Sequence, residues 1–156
     1  MAVYVAAAAA VVGAAAAVQS GKAAEAEGKA NQAIANRNAE KLKLDADTAV
    51  KLGKRDIKIF QRRFDNLQAQ TEMSFAKAGV RMEGTVLEVL EQNYAMAELE
   101  KETIRYNSKV DSADKIELSV IAQMEGAAAY ARGKNQKKAS YLQAGSTLLG
   151  GIAKVI

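Results

Sequence analysis

Between residues 42 and 78 apolar or small side chains recur as Leu42, Ala46, Ala49, Gly53, Ile57, Phe60, Phe64, Leu67, Thr71, Phe75 and Ala78. The steps run mostly four, three, four. That is an eleven-residue repeat of about 3.67 residues per turn, which predicts one helix with a nearly straight or slightly right-handed seam facing a partner. Upstream, Met1 to Gly21 holds no charged side chain, and Ala9, Gly13, Ala17 and Gly21 recur every four residues, a spacing that lets helix backbones approach. The pattern breaks at AKAGVRMEGTVLEVLE. Gly79 is suited to the left-handed C-terminal cap of a first helix, and Thr85 with Glu88 spells a capping box for a second, with Gly84 just before it.

Beyond the break, Leu87, Leu90, Tyr94 and Ala97, then Tyr106, Val110, Ala113, Val120, Met124, Ala127 and Ala131, recur at three, four or seven residues. This second helix is expected to reach at least Gly133. The last stretch, ASYLQAGSTLLGGIAKVI, is apolar again with one lysine, and Gly145, Gly150 and Gly151 leave its helicity open. The chain therefore divides into an apolar Ala/Gly segment 1–21, a first long helix 22–78, a turn 79–85, a second long helix 86–138 and an apolar tail 139–156. The expected fold class is all-α: an elongated antiparallel helical hairpin of two long helices, assembling into an oligomeric helical bundle or ring. Arms of these lengths would give a hairpin on the order of 110 Å long with both apolar ends at one tip.

Composition sharpens this picture. Proline is absent, so helix has no strong internal stop, and aromatics are only 5% of 156 residues, so the interior must be thin. Histidine and cysteine are absent too, which removes the commonest general base, the commonest zinc ligands and any thiol nucleophile. The carboxylates lie on helices without a concave site to work in, and the Gly150-Gly151 pair lacks the lysine spacing of a phosphate loop. No catalytic residue, cofactor or metal ligand is expected, and the chain reads as a non-enzyme.

The net charge of +4 is mild, so basic function must come from clusters. Lys51, Lys54, Arg55, Lys58 and Arg62 form one strip nearly opposite the seam, suited to phosphates or to acidic groups of a neighbouring chain. Arg132, Lys134, Lys137 and Lys138 precede the apolar tail, as residues do that reach toward lipid headgroups. The apolar ends, with Val3, Val5, Val11, Val12, Gly13 and Val18 in one and Leu148, Leu149 and Ile152 in the other, are the candidate membrane-active segments. As a span the first is weak, since alanine is near neutral for insertion. A secretory leader is the competing reading, against which stands the lack of Lys or Arg before the apolar run. Phe60, Phe64, Leu67 and Phe75 are the expected oligomer seam, an aromatic stripe that a thin hairpin would expose.

In order of features the chain resembles the smaller internal core, or DNA-ejection, proteins of short-tailed bacteriophages. The resemblance rests on the apolar N-terminus, AEAEGKANQAIANRNAE, GVRMEGTVLEVL, ELEKETIRYN and AGSTLLGG. It covers essentially the whole chain, although the chain is short for the group and has no extended polar tail after the last glycines. The resemblance implies a protein packed in several copies inside the capsid near the portal, beside other internal virion proteins, and expelled with the genome to help build a conduit across the host envelope. Partners would then be further copies of itself, the portal, genomic DNA by non-specific backbone contact, and the host membrane after ejection. The alternative is a DNA pilot or head-to-tail structural protein that never enters a membrane.

Overall fold

The computed structural model describes the backbone of residues 2–79, 81 and 83–153, and the side chains of 11–79, 81 and 83–150. Two α-helices, α1 (Ala2–Lys77) and α2 (Thr85–Ala153), pack against each other as an antiparallel hairpin. The apolar segment 2–21 and the charged part of the first arm are one continuous helix, and α2 continues through residues 139–153.

The turn forms where the glycines allow it. Gly79 takes a positive φ of 70°, and its N–H donates to the carbonyl of Ala76 at 3.2 Å, closing the last turn of α1 as a left-handed cap does. Gly84 also has positive φ, at 59°. Its carbonyl accepts the first intrahelical bond of α2, from the N–H of Glu88 at 3.2 Å. Gly84 is therefore the N-cap and Thr85 the first helical residue, which corrects the capping box expected at Thr85 and Glu88. The amide that a Thr85 hydroxyl would have capped is already bound to Gly84, while Glu88 still complements the positive helix end.

The chain divides into two units, one of Met1–Lys41 with Leu118–Ile156, the other of Leu42–Glu117. In the first unit the inward positions step by seven on both arms: Ala14, Gly21, Gly28 and Ala35 on α1, Ser119, Gly126, Gly133, Ser140 and Thr147 on α2. Gly21 meets Ser140, Gly28 meets Gly133 and Gly126 meets Ala35, so seven residues down one arm match seven up the other. The approach is backbone to backbone. A Cβ on Gly28 would stand 2.9 Å from the Ala129 carbonyl oxygen, and one on Gly133 would stand 2.5 Å from that of Ala24. Glycine fits because nothing larger does.

In the second unit the inward positions are Gly53, Ile57, Phe60, Phe64, Gln68, Thr71 and Phe75 facing Ala97, Lys101, Ile104, Ser108, Ser112 and Lys115. Here the repeat is eleven on both arms, as the sequence predicts for α1. The stripe departs from expectation at two positions: Gln68 is buried, with 6% of its surface exposed, whereas Leu67 is 62% exposed, and Ala78, just past the end of α1, is exposed. Gly53 again faces a small side chain, that of Ser108.

The second-arm stripe requires a larger correction. Leu90 and Ala97 are buried, but Leu87, Tyr94, Tyr106, Val110, Val120 and Met124 are exposed. Glycine, serine and alanine hold the inner face of α2 in the first unit because the arms close there to a distance only small side chains permit. In the second unit Leu90 and Ile104 are the large apolar groups that stay inward, while the other large groups of the expected stripe are turned outward.

Candidate interaction faces

Each face follows from where this register puts its residues. Phe60, Phe64 and Phe75, expected at an interface between chains, lie half-buried against the hairpin's own second arm. Phe64 packs edge-on against Tyr94 with ring centroids 5.2 Å apart, and Phe60 stacks on Phe64 at 6.4 Å. The aromatic stripe is thus a seam within one chain, and only Leu67 of the four points away from it. Beside the rings an open recess of about 370 Å³ is bordered by Phe60, Phe64, Leu67, Gln68, Met96 and Ala97, and the buried Nε2 of Gln68 has no hydrogen-bond partner there.

Charged groups inside the seam are satisfied. Lys101 donates to Gln61 Oε1 at 2.9 Å and to Glu98, and Gln61 Nε2 donates to Asp65, so one network crosses the second unit. In the first unit Lys137 donates to Glu25, which Lys29 also approaches at 3.4 Å. The bond from Lys137 holds the Glu25 carboxyl below the usual carboxylate range, against partial burial that pulls the other way. The same bond raises the Lys137 ammonium above its ordinary value.

Of the C-terminal basic group, Lys137 is therefore committed to the hairpin, its ammonium also 5.9 Å from the Tyr141 ring, while Arg132, Lys134 and Lys138 are exposed. The strip of Lys51, Lys54, Arg55, Lys58 and Arg62 is exposed along its whole length, opposite the seam as its spacing predicts. Only Arg55 has an ion-pair partner among the described residues, its neighbour Asp56 at 3.5 Å.

The apolar ends meet. Gly13 lies against Thr147, Ala14 and Ala144 are buried, and Val18 is half-buried. Val11, Val12, Leu148 and Leu149 are exposed around them, at 60%, 69%, 39% and 71%. The side chains of Val3, Val5 and Ile152 lie outside the described residues. Among the described residues no helix is long and apolar enough to cross a membrane. Nor does any group of three or more Asp or Glu among them stand ready to hold a metal ion.

Pattern reading misses the inward run of Ser112, Ser119, Gly126, Gly133 and Ser140 and the pair Glu25–Lys137. A seven-residue repeat of small residues is the signal that would have found the first. The second has no sequence signal, because the partners are 112 positions apart.

Fold and faces together define a hairpin of two long helices. Set against family models, curated proteins and solved structures, the chain matches none.

Proposed function

We propose that this chain is a non-enzymatic internal virion protein of the short-tailed phage kind, packed in several copies near the portal and ejected with the genome to help form a conduit across the host envelope. The observation that carries the reading is the inversion of the usual core. The hairpin hides Gly21, Gly28, Gly126 and Gly133 and leaves Val11, Val12, Leu148 and Leu149 exposed together where its two ends meet. Exposed apolar groups of that kind call for a covering partner, which neighbouring copies supply inside a particle and lipid supplies outside it. The motif resemblance from GVRMEGTVLEVL to AGSTLLGG supports the same class.

Each apolar end is marginal for lipid by itself, so conduit formation would need several hairpins presenting both ends at once. The exposed basic strip, in which only Arg55 has an ion-pair partner among the described residues, supports the second reading, a DNA pilot or head-to-tail component that stays out of membranes. Mass spectrometry of purified virions before and after genome release tests the class, with the chain present before and lost after. Dye release from anionic liposomes then separates the two readings. Leakage that is lost in Gly13→Lys and on deletion of residues 1–20 supports the conduit, while a protein lost from virions that leaves liposomes intact supports the pilot.

A further inference from the structure

The outer face of α2 in the second unit repeats the geometry of its inner face. Leu99, Glu102, Tyr106, Val110, Ala113 and Glu117 are all exposed, Leu99 by 61% and Tyr106 by 68%, and they step by three and four residues with a period of eleven. Each lies about two residues, or about 200°, from an inner position such as Ile104 or Ser108, so the stripe sits opposite the seam. Exposed Leu99, Tyr106 and Val110 on a stripe of helix-packing period with no helix on it make a surface suited to another helix.

The same unit carries a counterpart. On the outer face of α1, Lys51, Arg55, Lys58 and Arg62 step by four, three and four, again with Lys51 and Arg62 eleven apart. Among the described residues, Lys51, Lys58 and Arg62 on that strip, and Glu102 and Glu117 on the α2 stripe, have no ion-pair partner within the chain. The α1 strip is thus basic, while the α2 stripe carries Glu102 and Glu117 with Lys109 at its border, so the two faces are complementary in charge. Long basic side chains also suit an apolar stripe, since their aliphatic stems cover Val110 and Leu99 while their heads reach Glu102 and Glu117, and an arginine can lie over the Tyr106 ring.

We infer that the occupant of the α2 stripe is the basic strip of α1 from a second copy of this chain. This rests on the multi-copy part of the proposed function, although it needs no virion. The contact is heterologous, one face of each copy meeting a different face of the next, so the copies form a closed ring where the rotation closes and an open fibre where it does not. Surface area agrees. The chain exposes 11482 Å², whereas a compact protein of its 16.6 kDa exposes about 7,600 Å². Two contacts per copy, each taking about 800 Å² from each partner, fall within that excess.

Charge reversal in solution tests the inference on the full chain. Wild type is expected to sediment as an assembly that loosens with added salt. Arg55→Glu with Lys58→Glu, and separately Glu102→Lys with Glu117→Lys, should each give monomers of unchanged helicity by circular dichroism, because none of the four residues lies in the seam. An equimolar mixture of the two variants should assemble again, since the new glutamates on α1 of one then meet the new lysines on α2 of the other. A monomeric wild type, or reversed variants that assemble as wild type does, would overturn the inference. So would a monomeric wild type whose strip binds duplex DNA and loses it on Arg55→Glu with Lys58→Glu. Loss from virions on genome release is measured separately, so failure here leaves that result standing.

Discussion

At the scale of single residues, glycine has opposite meanings at different points of the same two helices. Glycine in a helix interior costs about 0.5–1 kcal/mol relative to alanine, so any helical glycine invites replacement. At Gly145 a Cβ meets nothing within 4 Å, and Gly145→Ala should stabilise the hairpin by about 0.5–1 kcal/mol. At Gly133 the Cβ would stand 2.5 Å from the Ala24 carbonyl oxygen, well inside van der Waals contact and against a backbone that cannot rotate away. Overpacking of this kind costs roughly 1–3 kcal/mol, which exceeds the propensity gain, so Gly133→Ala should destabilise. Urea unfolding of both variants checks the pair, and two shifts of the same sign would contradict the register.

Glu25 gives a second residue-scale expectation. Because its folded pKa is depressed, its contribution is present above the ordinary carboxylate pKa and is lost as pH falls through the depressed value. Lys137 is raised, so its share is complete below the ordinary lysine pKa and fades as pH rises through the raised one. The stability difference between wild type and Glu25→Gln should therefore be flat across neutral pH and close at both extremes. A difference that grows on acidification would show that the pair is not what couples these arms.

At the scale of elements, α1 was legible and α2 was not. In α1 the three phenylalanines lie on the inward face, although Leu44, Leu52, Ile59 and Met73 are exposed, so following Leu42, Ile57, Phe60, Phe64 and Phe75 finds the seam. The slip at Leu67 arises because size suggested a position that Gln68 holds, and Ala78 falls past the end of the helix. In α2 apolar residues lie on both faces, and the tightly packed face carries the smaller ones. Tyr106, Val110, Val120 and Met124 drew the stripe to the wrong side. The turn was legible from Gly79, whereas the capping box lost to Gly84 because the carbonyl of a glycine took the bond first. The aromatic cluster supplies the check. Phe64→Ala should destabilise the hairpin itself, by less than the roughly 3–5 kcal/mol of a fully buried phenylalanine, while Leu67→Ala should stay within about 0.5 kcal/mol. Thermal unfolding of the two variants at one protein concentration distinguishes a seam inside the chain from one between chains.

At the scale of the whole molecule, the candidate faces were readable in part. The basic strip and the meeting of the apolar ends follow from spacing and from the hairpin alone. The division of labour between a small-residue inside and a large-residue outside does not, because it depends on how closely the arms approach. That division has a calorimetric consequence. Unfolding raises heat capacity mainly by wetting apolar surface, at about 12–15 cal/mol/K per residue for ordinary domains. The first unit, closed on glycine, alanine and serine, has little such surface to wet, so the dissociated chain should show an increment below that range. Its stability would then change little on cooling, since the part of folding that fades in cold water is the part this seam hardly uses. Scanning calorimetry of the monomeric charge-reversed variants measures the increment, and a value at or above the ordinary range would mean that the arms bury more oil than their inner faces carry.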